Sequence, residues 1–245
     1  MGLRIIYGKP GSGKSQFCFS EIAQLLKTEK KIYMITPEQF SFTAEKKLMD
    51  AINKKAVINA EVLTLSRMAY RVLNETEGAS KTHLSKCGKA MLIYSILSHN
   101  KKEFKFLGKS DENIELSMRT ITEFKKHKVT VENLAEAIEN IDDNYLKAKL
   151  ADILTIYSQF EDQIQGKYIE ENDLLELLAE NIDQTTIVKD AIIYLDEFAG
   201  FTSQEYEVIK KFIEQAKQVN ITICTDNLQT CLLYTSDAAD DRISV

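Results

Sequence analysis

Gly8-Lys9-Pro10-Gly11-Ser12-Gly13-Lys14-Ser15 has the spacing G-x-x-x-x-G-K-S, and that combination suits one chemistry, the gripping of phosphates. Three of the nine glycines fall within residues 8–13, so the main chain can turn several N–H groups toward one anion with no Cβ in the way. Lys14 then reaches the β- and γ-phosphates of a nucleotide, and Ser15 offers its hydroxyl to a magnesium ion. Lys9, Pro10 and Ser12 fill the variable positions of the cradle. Chance occurrence of such a string in a chain this long is on the order of one per cent at average residue usage. The competing reading is a glycine-rich turn carrying a surface lysine.

A nucleotide site of this kind needs an acidic partner at the end of a neighbouring strand. Ile192-Ile193-Tyr194-Leu195-Asp196-Glu197 supplies one. Asp196 is expected to hold the magnesium, and Glu197 to orient an attacking water as the catalytic residue. By itself the pair is weak evidence, because many strands end on acidic residues where the chain returns to water.

These groups must be carried by particular elements. Short apolar runs at residues 3–7, 31–35, 61–65, 191–195 and 220–224 read as buried strands of a parallel sheet covered on both faces. Thr36-Pro37-Glu38-Gln39 predicts a helix start: a capping hydroxyl, a proline at the first helical position and a glutamine able to reach back. Thr202-Ser203-Gln204-Glu205 repeats the device before Val208, Ile209, Phe212, Ile213 and Ala216, which recur at helical spacing. Residues 82–183 show no strand-like run, only helical periods such as Leu150, Ile153, Leu154, Tyr157 and Phe160. Lys109-Ser110-Asp111-Glu112-Asn113 and Gly166-Lys167 mark the loops within that block. The expected architecture is an α/β P-loop NTPase fold built from residues 1–81 and 184–230, interrupted by an all-helical insertion over 82–183.

Composition agrees with this organisation. At 245 residues the chain amounts to about 1.6 average domains. Nine glycines and two prolines are too few for a turn-rich β-sandwich, and 44% hydrophobic with 28% charged residues is ordinary globular usage. A formal charge of -6 restricts nucleic-acid contacts to local patches or a partner subunit. Lys101, Lys102 and Lys105 form one such patch and Lys125, Lys126, His127 and Lys128 another; Phe104, Phe106 and Phe124 stand among them. They read either as a stacking platform for single-stranded DNA or, more economically, as a solvated helix face over core aromatics. Cys18, Cys87, Cys224 and Cys231 form no C-x-x-C pair, and His83, His99 and His127 have no ligand spacing. Cys18 reads as a core residue. No apolar run reaches the roughly 18 residues of a membrane span, and no signal peptide precedes the first strand, so a cytoplasmic protein is expected.

Residues 231–245 continue no earlier pattern. Cys231-Leu232-Leu233-Tyr234-Thr235-Ser236-Asp237-Ala238-Ala239-Asp240-Asp241 resembles the translation of a transposon-end sequencing adaptor. Native sequence is therefore expected to stop near Thr230, with read-through beyond it. A natural tail is the alternative.

Four stretches taken together resemble the amino-terminal end of the AddB subunit of AddAB-type ATP-dependent helicase-nucleases. They are the phosphate loop at 8–15, Thr36-Pro37-Glu38-Gln39-Phe40-Ser41-Phe42, the run Val62-Leu63-Thr64-Leu65-Ser66-Arg67-Met68-Ala69-Tyr70-Arg71-Val72, and the run from Tyr194 through Asp196-Glu197-Phe198-Ala199-Gly200-Phe201-Thr202 to Glu205. The last three are far more specific than the first. The resemblance implies a superfamily 1 helicase-like first domain with a RecA-like parallel sheet, the insertion standing in the place of its 1B subdomain. It also implies ATP and magnesium as ligands, an AddA-type helicase-nuclease as heterodimeric partner, double-strand DNA ends as substrate, and a share in Chi recognition. The family's nuclease domain and iron–sulfur cluster belong to a carboxy-terminal part that has no counterpart here. Only seven residues precede Gly8, which leaves no room for the glutamine segment with which active relatives grip adenine. An arginine finger from a second motor domain, worth roughly 10³ to 10⁵ in rate, has no counterpart either, so binding is expected to outlast hydrolysis. Two other readings stay open: a stand-alone P-loop kinase or ATPase, and a scaffold whose nucleotide is structural only.

Overall fold

The computed structural model describes residues 2–29, 31–53, 59–76, 82–107, 112–170 and 173–225. Strands and helices alternate from the start: β1 (Leu3–Gly8), α1 (Lys14–Leu25), β2 (Ile32–Ile35), α2 (Glu38–Ile52), β3 (Ala60–Leu63) and α3 (Leu65–Glu75). A second series follows, β4 (Thr82–His83), α4 (Lys86–His99), α5 (Glu112–Lys126), α6 (Val131–Glu139), α7 (Asn144–Ile164), β5 (Tyr168–Ile169) and α8 (Leu174–Asn181). The chain then returns through β6 (Ile192–Leu195), α9 (Ser203–Gln215) and β7 (Gln218–Cys224). Its described residues divide into two compact units, those within 1–72, 181–201 and 209–245 and those within 73–180 and 202–208. The joints expected from sequence stood at 81/82 and 183/184.

In the first unit a five-stranded, wholly parallel sheet has the order β1-β7-β6-β2-β3. All four residues of β2 and of β6 are buried, as continuous apolar runs require when helices cover both faces. Cys18, Phe19 and Ile22 of α1 and Ala44 and Leu48 of α2 pack on Ile32, Met34, Ile192 and Tyr194 to form a core beneath that pair of helices. The five expected strands are present, each within two residues of its predicted limits.

One helix start differs from expectation. Thr36 still belongs to the sheet, its amide donating to the Leu63 carbonyl at 3.0 Å, so α2 begins after Pro37. Pro37, not Thr36, is the N-cap, and no side chain caps the helix. Pro37 at ψ 151 holds the chain extended, which carries the Thr36 hydroxyl away from the first turn. At α9 the device does form: the Thr202 amide donates to Glu205 Oε2 at 2.7 Å and the Glu205 amide to Thr202 Oγ1 at 3.3 Å.

The second unit is not all helical. β4 and β5 form a two-stranded parallel pair, Thr82 opposite Tyr168 and His83 opposite Ile169. Two-residue strands are too short to display alternation, so the sequence concealed them. Glu112 and Asn113, expected in a loop, open α5, while residues 109–111 lie outside the described residues. Gly166, at φ +73, makes the left-handed turn between α7 and β5. The core joins Ile93, Ile96 and Leu97 of α4 to Ile121 of α5 and to Ile153, Ile156, Tyr157, Phe160 and Ile164 of α7. Buried Asp152 accepts the amides of Lys105, Phe106 and Leu107, at 3.3, 2.7 and 3.1 Å, and so ties the turn after α4 to α7. Lys89 and Lys125 are buried against Glu170, and Lys125 also meets Glu161 at 2.9 Å and Asp173 at 2.7 Å. Burial alone would lower the Lys125 pKa, but the three carboxylates hold it above its ordinary value. The segment 231–245, expected to be read-through, lies outside the described residues.

Candidate functional site

β1 runs out at Gly8, and the chain turns through residues 9–13 into the first turn of α1. Gly11 at φ +75 and Gly13 at φ +85 occupy the left-handed region, which a side chain enters only at a cost of about 1–2 kcal/mol. Gly8 contributes closeness: a Cβ there would stand 2.6 Å from Ser12 Oγ, and that hydroxyl would have to turn away. The glycines thus serve the turn and its closeness, as the spacing predicts. Gly13 caps α1 without a side-chain hydrogen bond, and the first turn carries no acidic residue. Its amides and the positive end of the helix dipole are therefore left to an anion.

Lys14 curls back over this loop, its Nζ donating to the carbonyls of Gly8 at 2.9 Å and Lys9 at 3.0 Å. Ser15 Oγ donates to Glu197 Oε1 at 3.1 Å, joining residues 182 positions apart. Lys9, Pro10 and Ser12 lie on the exposed rim. Asp196 is buried, its amide donating to the Ile35 carbonyl at 3.0 Å and its Oδ1 accepting from Thr222 Oγ1 at 2.5 Å. Glu197 is exposed at φ +64, a left-handed conformation that a glutamate adopts only under constraint. The two halves read from sequence therefore meet at the carboxyl ends of the strands, with one strand, β7, between β1 and β6.

Beneath the loop a second polar group ties three elements together. Glu21 of α1 accepts Arg4 of β1 through both guanidinium Nη atoms, Nη1 at 2.8 Å from Oε1, and accepts the Tyr194 hydroxyl of β6 at 2.7 Å. The Arg4 hydrogen bonds hold the Glu21 carboxyl below its ordinary pKa, against burial and with help from Tyr194. Burial, with Glu21 as acceptor, pushes the Tyr194 hydroxyl well up. Burial, then the nearby charge of Asp196, raises the Cys18 thiol to about 12, which keeps it a packing residue.

Sequence reasoning missed Arg4, Glu21, Tyr194 and Thr222. A signal for the last was present: Gln218, Asn220 and Thr222 alternate with apolar residues along β7, which marks one polar face on a strand that is otherwise core. The basic clusters do not form a platform. Lys125 is buried among carboxylates, Phe104 is core, Phe106 meets Tyr145 edge-on at 4.8 Å, and Phe124 packs on Tyr157. The described residues contain no group of three or more His, Cys, Asp or Glu side chains able to hold a metal, and no helix long and apolar enough to cross a membrane.

The family described as ADDB, N-terminal, matches residues 5–237. The chain belongs to the AddB N-terminal family. Among its curated relatives, one from Clostridium tetani is 43% identical over 236 residues, and one from Clostridium botulinum strain Loch Maree is 40% identical over 233. A relative from Clostridium acetobutylicum is 38% identical over 231 residues. Each bears the name of the B-type subunit of an ATP-dependent helicase/deoxyribonuclease. The matches cover 92–93% of this chain but 20% of each relative, so the chain spans about a fifth of their length.

Proposed function

We propose that this chain is a P-loop, superfamily 1 helicase-like domain that binds ATP with magnesium, within a subunit that pairs with an AddA-type helicase-nuclease to process double-strand DNA ends and takes part in Chi recognition. The observation that carries the nucleotide reading is the hydrogen bond from Ser15 to Glu197, which joins the glycine-rich loop to the acidic strand end. A parallel sheet with one strand between β1 and β6 supports the same reading.

Magnesium fits the donor set of Ser15 and Asp196: a hydroxyl and a carboxylate, both oxygen, and too few protein ligands for a closed cage, so that phosphates and water would complete the shell. Ser15 and Asp196 would hold the ion. Bound there, it would supply charge neutralisation to the phosphates. Amides of residues 11–15 cradle the phosphates, Lys14 leaves the Gly8 and Lys9 carbonyls for the β- and γ-oxygens, and Glu197 orients the water that attacks the γ-phosphorus. The bond to the β-γ bridging oxygen breaks, giving ADP and phosphate. Such a step is slow without an arginine finger, which is worth roughly 10³ to 10⁵ in rate. Nuclease chemistry and the iron–sulfur cluster are assigned to no residue here.

Lys14→Ala tests the reading. Calorimetry with magnesium-ATP is expected to show binding by the wild-type chain and none by the variant; undiminished affinity would remove Lys14 from the role.

A further inference from the structure

β7 is the strand between the phosphate loop and the acidic pair, and its polar face has a regular relation to both neighbours. Asn220 stands in register with Arg4 of β1 and with Tyr194 of β6. Two residues on, Thr222 stands opposite Ile6, and since Leu195 pairs with Ile221, the next step along β6 brings Asp196 beside Thr222. Two residues further, Cys224 stands opposite Gly8, where the loop begins. The lower row is fixed by Glu21 bridging Arg4 and Tyr194, and by the Asn220 side-chain Nδ2 donating to the Ile193 carbonyl at 3.2 Å. The upper row carries the Thr222–Asp196 bond.

We propose that Thr222 is the positioning residue for Asp196, setting the carboxylate so that one oxygen is committed to the sheet and the other is presented to magnesium. This rests on the reading of the loop as a magnesium-nucleotide site. Thr222 and Asp196 are 6% and 2% exposed, so water does not compete for the 2.5 Å bond between them. Threonine is β-branched and stiff at χ1 in a strand, which holds the hydroxyl at one angle. With Oδ1 taken by Thr222, rotation about the Asp196 Cβ–Cγ bond is restrained, which favours one direction for the remaining oxygen. Outer groups of this type orient metal ligands and typically account for 10–100-fold in metal affinity. A bland core role makes a different prediction: a hydroxyl that merely satisfies a buried carboxylate affects stability, and nucleotide affinity with and without metal then moves together.

The test is calorimetry of the purified chain with adenylyl imidodiphosphate, a triphosphate that resists cleavage at its β–γ bridge, in excess magnesium and in EDTA. Thr222→Val keeps the shape and removes the hydroxyl. It is expected to weaken binding by about 10-fold or more in magnesium and leave the EDTA affinity unchanged. Thr222→Ser, which returns the hydroxyl, is expected to restore the magnesium-dependent gain, and Thr222→Ala, a second variant should valine not fold, to behave as valine. A valine variant with wild-type affinity in magnesium overturns the proposal. So does one that loses affinity equally in both conditions, or a serine variant that behaves as valine. Lys14→Ala is expected to lose binding in both conditions, which distinguishes loss of the phosphate grip from loss of the metal's contribution. Wild-type chain that binds the probe in neither condition removes the nucleotide site itself and this inference with it.

Discussion

Thr36 is fully buried at the end of β2, and its hydroxyl has no hydrogen-bond partner among the described residues. A buried hydroxyl without a partner costs roughly 1–3 kcal/mol, whereas valine has the same shape and needs none. Thr36→Val is therefore expected to be neutral or to stabilise by up to about 1 kcal/mol, read from the midpoint of urea unfolding. A loss of stability would reveal a donor or acceptor serving that hydroxyl. Glu197 shows the opposite economy. Its left-handed backbone is strained, yet the strain aims its carboxylate at Ser15, and such trade-offs concentrate at working sites.

Among the elements, α1 is the one whose placement decides the candidate site, since the loop enters it and Ser15 lies in its first turn. Glu21, two turns along, fastens it to β1 through Arg4 and to β6 through Tyr194. This fastening titrates. Because the folded-state pKa of Glu21 is lowered, its contribution to stability is complete above the ordinary glutamate value of about 4.3 and is lost as pH falls through the lowered value. Arg4 stays charged throughout. Glu21→Gln should accordingly melt below wild type at neutral pH, and the gap between the two melting temperatures should narrow below about pH 4. A gap independent of pH would mean that packing, not charge, makes the contact. The same logic does not extend to Glu161 in the second unit, where burial raises the carboxyl and the sign reverses.

Over the whole molecule the charge is -6, and the lysines that looked available for DNA are partly engaged elsewhere. Lys125 is enclosed by Glu161, Glu170 and Asp173, and Lys126 pairs with Glu123. Lys101, Lys102 and Lys105 stay exposed, too few for strong counterion release. The isolated chain is expected to bind a single-stranded oligonucleotide in the non-specific range, about 1–100 µM near physiological salt, as read by fluorescence anisotropy. Tight, steeply salt-dependent binding would show a basic surface that the net charge conceals.

The loop, the acidic strand end, the five buried strands and the helical character of the second unit were legible in the amino-acid sequence, because each rests on local spacing: glycines for the turn, apolar runs for buried strands, 3.6-residue periods for helices. Family membership was legible too, in the three longer motifs. What only the tertiary structure decided depends on residues far apart in the chain. The order of the strands, the two-residue β4–β5 pair and the failed cap at Thr36 follow from sheet pairing, which local propensity does not encode. The meeting of Ser15 with Glu197, of Arg4 and Tyr194 with Glu21, and of Thr222 with Asp196 follows from register, since one residue of slip along β7 would turn Thr222 to the opposite face.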